Sequence, residues 1–370
     1  PSRLLSLIVA SLERQLPGAN GSGILMMSSG KDSVALAVGL AELGSTIPCV
    51  TFKSGPDDRE HEHAAAICAR LGLEHRTVAM PDDPGLTRSA LTRFFENAET
   101  PTADHSAIGS VIAVATARVD GGAVIDGSGN DPYMGYLGSR QYRMRQRLRV
   151  RGRLAASMVR RLVRVDSPIN YLARSADGAL LPGRNLRPHE TRRIYADAVD
   201  TDEFWYRERE LTSRLDALDA LAVSRIRHTE AARNNLKARL VARAAGATPV
   251  FPFCDNDLAD YYFNLPAAAR FDRANGVNKL LLRQLLAERI GYDPAVVGDG
   301  YFKFDGARFM VENAAFVREE IESCPLWRPE GRSLIDAWLT ASVRRPFLWH
   351  ALLPLFMISG WYNHSRFVGR

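Results

Sequence analysis

Short apolar runs alternate with amphipathic stretches through the first 126 residues, and this alternation limits the fold more than any other feature of the chain. Gly23 to Met27, Ile47 to Phe52, His75 to Ala79 and Ala123 to Asp126 read as strands. Between them, Val34–Leu43, Glu60–Leu71, Leu86–Asn97 and Ala107–Val119 read as helices, and Leu4, Leu5, Ile8, Leu12 and Leu16 mark a further helix ending near Pro17. Strands and helices alternating at this spacing predict parallel β-α-β units, an α/β fold in which helices flank a parallel sheet. Ligands bind such sheets beyond the carboxyl ends of the strands.

From about residue 200 the pattern turns helical, with apolar periodicity in 203–222, 228–245, 277–290, 309–323, 331–343 and 347–360. Residues 165–190, rich in Pro, Gly, Ser and Asn, read as a connection. The expected organisation is therefore an α/β region over 1–165 and a mainly helical region over 166–370. At 370 residues, against roughly 150 for a typical domain, the chain has room for one enlarged domain or two fused ones. With 46% apolar and 24% charged residues, long disorder is excluded as the main theme. Cys49, Cys68, Cys254 and Cys324 stand singly, without a metal or disulfide pattern, which suits a reducing cytoplasm. The most apolar late run, Pro346 to Tyr362, is too short for a membrane span and reads as a buried helix.

Residues 140–164 hold ten arginines and no Asp or Glu, and the rest of the chain carries 38 basic against 42 acidic residues, so the net positive charge originates in this one segment. The segment is either a solvated arm or a dock for an acidic partner such as RNA, a carrier protein or a phosphorylated substrate. Only five basic residues are lysines, at 31, 53, 237, 279 and 303.

Ser28-Ser29-Gly30-Lys31-Asp32-Ser33 falls where the first strand hands over to a helix. Small residues there let backbone N–H groups approach an anion above the positive end of the helix dipole, which makes a phosphate cradle, although the spacing is not that of the kinase-type loop. The run resembles the S-G-G-x-D-S pyrophosphate loop of the N-type ATP pyrophosphatase superfamily. Three later segments narrow the resemblance to the synthetase domain of asparagine synthetase and its relatives, which include β-lactam synthetase and lasso-peptide cyclases. Gly127-Ser128-Gly129-Asn130-Asp131 is similar to the family's G-x-G-x-D motif, Phe251-Pro252-Phe253-Cys254-Asp255 to its P-F-L-D motif, and Lys279-Leu280-Leu281-Leu282-Arg283 to its K-x-x-L-R motif. Phe302-Lys303-Phe304 stands where the family has a lysine in a late loop.

The resemblance implies an ATP- and Mg²⁺-dependent ligase that adenylates a carboxylate and passes the acyl group to an amine or ammonia. It assigns Mg²⁺ to Asp32 and Asp131, the pyrophosphate to Ser28, Ser29, Gly30, Lys31 and Ser33, and the adenine to backbone at Met27, Phe52 and Gly127. Lys303 becomes the cation that offsets charge building in the transition state. The glutaminase domain of asparagine synthetase is not in this sequence, so the nitrogen is expected from free ammonia, a separate partner or an amine substrate. A homo-oligomer is compatible with all of this.

Ser29 replaces the family's glycine, Ser128 a glutamate or tyrosine, Pro132 a glutamate, and Thr248-Pro249-Val250 lacks the Glu and Arg that precede P-F-L-D. The base that takes the proton from nitrogen is thereby unassigned. Glu99, Asp104 and His105 precede the helix that feeds the fourth strand and read as loop surface with access to the site. Two other readings stay open: a tRNA-modifying enzyme of the lysidine-synthetase kind, and a nucleotide-binding relative without catalysis.

Overall fold

The structure, a computed structural model, describes residues 1–16, 22–119, 121–134, 188–195, 225–272, 274–297 and 304–368 except 343, 346 and 347, with a few isolated positions between 197 and 223. The arginine-rich segment 140–164, most of the expected connection 165–190, nearly all of the expected helix 203–222 and Lys303 lie outside the described residues.

Five strands form one parallel sheet: β1 (Gly23–Met26), β2 (Cys49–Lys53), β3 (His75–Ala79), β4 (Ala123–Ile125) and β5 (Thr248–Val250), in the order β3-β2-β1-β4-β5. The pairings align Leu25 with Cys49 and Ile125, Phe52 with Val78, and Val124 with Pro249. The first four strands follow the sequence pattern. The fifth comes from a three-residue stretch with proline at its centre, a residue tolerated there because β5 is the sheet edge.

Because successive strand residues face opposite ways, the sheet divides its apolar residues between two cores. Ile24, Val50, Phe52 and Val124 face a layer made by α4 (Pro84–Asn97), α5 (Ala107–Ala117) and a later helix over Leu236–Ala244. Leu25, Cys49, Ala123 and Ile125 face α1 (Ser2–Gln15), α2 (Lys31–Glu42), α3 (Glu60–Leu71) and a helix over Leu280–Ile290. In α1, Leu4, Ile8 and Leu12 are fully buried, each contributing about 1.5–3 kcal/mol. The carboxyl-terminal helices, among them Trp349–His364, extend the first core through Phe309, Val317 and Phe356.

Several helical boundaries differ from the sequence pattern. The expected helix 228–245 is a wide-turned helix over Ile226–Asn235, closing i to i+5 turns, followed by an α-helix over Leu236–Ala244. The expected helix 309–323 breaks at Asn313. The expected helix 277–290 begins at Leu280, because Val277–Asn278 pairs antiparallel with Phe271–Asp272 and Lys279 takes a left-handed conformation.

Sequential strands run outward from β1 to β3 on one side, and β4 starts the other side, so the direction of winding reverses between β1 and β4. Loops leaving neighbouring strands diverge at such a point and open a crevice. Close approach of β1 and β4 depends on Gly23: a Cβ there would lie 2.5 Å from the Ala123 carbonyl oxygen. Gly23→Ala is therefore expected to cost about 1–3 kcal/mol as an overpacking change, read from the midpoint of urea denaturation.

Candidate active site

The crevice is a cavity of about 460 Å³, within the range of small-molecule sites, walled by the loops after β1 and β4 and by the wide-turned helix. The first loop is ordered by its own hydroxyls. Ser33 Oγ accepts from the Ser28 N–H (3.1 Å) and lies 2.9 Å from Ser28 Oγ, which accepts from the Gly30 N–H (3.1 Å). These local bonds fix the shape of the loop and engage the Ser28 and Gly30 N–H groups. Ser29, the departure from glycine, is fully buried and turned away from the cavity: its N–H and its hydroxyl both donate to Glu60, the hydroxyl at 2.7 Å, while the Tyr292 hydroxyl donates to its carbonyl at 2.7 Å. The added side chain thus braces the loop from behind.

In the second loop Asp126 accepts from the Ser128 N–H at 2.8 Å and from the Ser128 hydroxyl. Gly127 passes close to the start of α2, where a Cβ would lie 3.3 Å from the Ser33 nitrogen. Gly129 has φ +105°, and a Cβ there would meet Cys254 Sγ at 2.6 Å, so the P-F-x-D segment backs this loop directly. That segment is also bound to α1: Arg14 pairs with Asp255 at 2.7 and 3.2 Å, and the Ser11 hydroxyl donates to the Pro252 carbonyl at 2.8 Å. Asp255 caps its own helix through the Asp257 N–H and does not line the cavity.

The two aspartates meet across one cation. The Lys279 ammonium donates to Asp32 Oδ2 and lies 2.5 Å from Asp131 Oδ1, and the other Asp32 oxygen accepts from Asn130 Nδ2 at 2.5 Å. Burial opposes charge on Lys279, but Asp131 and Asp32 outweigh it and hold the ammonium protonated far above the ordinary range. Lys279 in turn holds the Asp131 carboxyl below its ordinary range, whereas burial pushes Asp32 up. The lysine reaches this position from a left-handed backbone, φ +57°, at the residue before its helix, with its N–H donating to the Met134 carbonyl at 3.1 Å. A left-handed non-glycine residue costs of order 1–3 kcal/mol and clusters at functional sites.

The wide-turned helix supplies the facing wall with Glu230 and Asn234, and the helix that follows adds Lys237. Glu230 is buried and accepts from the Gly129 N–H and from Asn234 Nδ2, each at 3.1 Å; burial raises its carboxyl above the ordinary range, helped by the charge of Asp131. Lys237 donates to the Ser106 hydroxyl at 3.0 Å and lies 3.6 Å from Asp104, which also pairs with Arg233 at 3.2 Å. Burial alone would raise Asp104, yet Lys237 and Arg233 hold it below the carboxylate range. Asp104 is thus a buried anchor of the wall and not loop surface; Glu99 is the surface member, paired with Arg243.

Of the residues singled out from sequence, Met27, Ser28, Gly30, Lys31, Asp32, Ser33, Gly127 and Asp131 line this cavity. Ser29 and Phe52 are buried outside its lining. Lys279, Glu230, Asn234 and Lys237 are additions: Lys279 stands in a motif whose role the sequence does not reveal, and for the other three the only signal is helical periodicity. The carboxylate oxygens of Asp32 and Asp131, gathered around one positive charge, are hard donors of the kind Mg²⁺ takes. The described residues contain no group of three or more His, Cys, Asp or Glu able to hold a metal, so the remaining ligands would be phosphate and water.

A parallel sheet flanked by helices, with a small-residue loop entering a helix at the switch point, is consistent with an α/β nucleotide-binding fold. The asparagine synthase family profile matches residues 3–293, and the chain belongs to that family, whose domain is that of an ATP-dependent amide-forming ligase. A search of curated proteins finds no match. No described helix is long and apolar enough to cross a membrane.

His105, beside Asp104, packs edge-on against Trp349 at 4.9 Å and is pushed down to about 4 by burial. Unfolded, it takes a proton near 6.5, so the stability it contributes is complete above that pH and is lost as the pH falls toward 4. His105→Gln is expected to flatten the fall in urea midpoint between pH 6.5 and 4 relative to the unaltered protein.

Proposed function

We propose that this chain adenylates a carboxylate with ATP, releasing pyrophosphate, and passes the acyl group to an amine or to ammonia with release of AMP. The observation that carries the reading is the meeting of Asp32 and Asp131, from either side of the switch point, around one cation in a cavity lined by the small-residue loop. A carboxylate oxygen bonds to the α-phosphorus as the bond to the β-phosphate oxygen breaks. Nitrogen then bonds to the acyl carbon, the bond to AMP breaks, and the proton on nitrogen passes to a base.

The residues have distinct tasks in this scheme. The loop from Ser28 to Ser33, at the start of α2, with Lys31, holds the departing pyrophosphate. Asp32 and Asp131 would hold Mg²⁺, which when bound offsets phosphate charge. Backbone at Met27 and Gly127, with Phe52 behind, bounds the adenine. Glu230, a carboxylate of the facing wall that lines the cavity, has the proposed task of taking the proton from nitrogen, since position 132 holds proline where the family has a glutamate. Lys303 immediately precedes Phe304, which packs on His105 at 6.2 Å; its proposed task is to offset charge at the α-phosphorus. The family match favours this reading over tRNA modification.

Pyrophosphate release measured across pooled carboxylic acids and amines tests the reading; none in any pool with Mg²⁺ present would overturn it. Asp32→Asn and Asp131→Asn are each expected to abolish pyrophosphate release while leaving the circular dichroism spectrum unchanged. Lys303→Met is expected to lower kcat by about 10²-fold or more with little change in KM for ATP, because a cation aimed at charge present in the transition state acts on the chemical step.

A further inference from the structure

On the reading just given, Asp32 and Asp131 must release one cation to accept another. The Lys279 ammonium already contacts both carboxylates, and its side chain is 9% exposed. Mg²⁺ takes oxygen ligands at roughly 2.0–2.1 Å, and an ion that close to Asp32 Oδ2 and Asp131 Oδ1 would occupy the space the ammonium fills. Two cations held by the same pair of oxygens would also repel at short range. The lysine is not simply a core ion pair, because it lines the same cavity as Ser28, Gly30 and Lys31 and is aimed there by a left-handed backbone. Its flexible four-carbon stem lets the charge move without moving the helix behind it.

We propose that Lys279 is the resident occupant of the metal seat. In the nucleotide-free protein it holds Asp32 and Asp131 together and excludes a free divalent ion. Metal therefore enters with nucleotide, because the triphosphate brings the displaced ammonium several new anionic oxygens, whereas the other carboxylates of the cavity, Asp126 and Glu230, already accept hydrogen bonds from Ser128, Gly129 and Asn234. This ordering protects a site with two facing carboxylates from loading with metal alone, and it makes Lys279 a phosphate contact in the loaded enzyme.

The test uses the full chain and Mn²⁺ as a spin probe, with free Mn²⁺ counted by electron paramagnetic resonance in the absence of nucleotide. The unaltered protein is expected to leave the ion free, and Lys279→Met to bind one Mn²⁺ at least about tenfold more tightly, with Lys279→Arg resembling the unaltered protein. Tight binding of one Mn²⁺ by the unaltered protein without nucleotide overturns the proposal. So does equally weak binding by the unaltered protein and Lys279→Met. If Lys279→Met does not fold, Lys279→Gln, which also removes the charge, takes its place in the same comparison. Pyrophosphate release by the same preparations separates the two readings: release without the Mn²⁺ difference sinks only the role of Lys279, and the Mn²⁺ difference without release sinks the ligase assignment.

Discussion

One ammonium group bridges two carboxylates that follow separate strands, and the arrangement of the site depends on that bridge. Either aspartate alone in a half-buried crevice would be costly as an anion, and two facing each other more so. Lys279 turns that mutual repulsion into a tie between the loop after β1, the loop after β4 and the helix beginning at Leu280. The sheet sets how far apart the two loops start, and the lysine sets how close their tips come.

Around this centre lies a second set of contacts that reach no ligand. Glu60 and Tyr292 grip Ser29, Arg14 grips Asp255, and Cys254 presses against Gly129. Together they carry the rigidity of α1 and α3 into the two loops. Asp104 does the same for the facing wall, fixing Lys237 through a pair that is buried and costly to break.

Much of the α/β part was legible because its signals are local. Four strands, the intervening helices and the loop at 28–33 follow from periodicity and small residues, and eight of the residues singled out there line the cavity. What was not legible depends on partners far away in sequence. Thr248–Val250 becomes a strand only because β4 offers an edge, and a proline within three residues hides it. Lys279 reads as part of a helix, since nothing nearby announces that aspartates 247 and 148 residues earlier will pull it out of one. Asp104 reads as surface because Arg233 and Lys237 are more than a hundred residues away. Ser29 reads as a defect in a glycine loop until Glu60 is seen to use its hydroxyl.

The wide-turned helix Ile226–Asn235 bears on how such a site diversifies. Helices closing i to i+5 turns are rare and occur frequently at functional sites, and the one here spans ten residues. Loss of one residue between Glu230 and Asn234 would turn the later side chains around the helix axis, carrying Asn234 and Lys237 away from Glu230. The wall facing the two loops is thus open to redrawing by single-codon gains and losses that leave residues 28–33 and 127–131 themselves untouched.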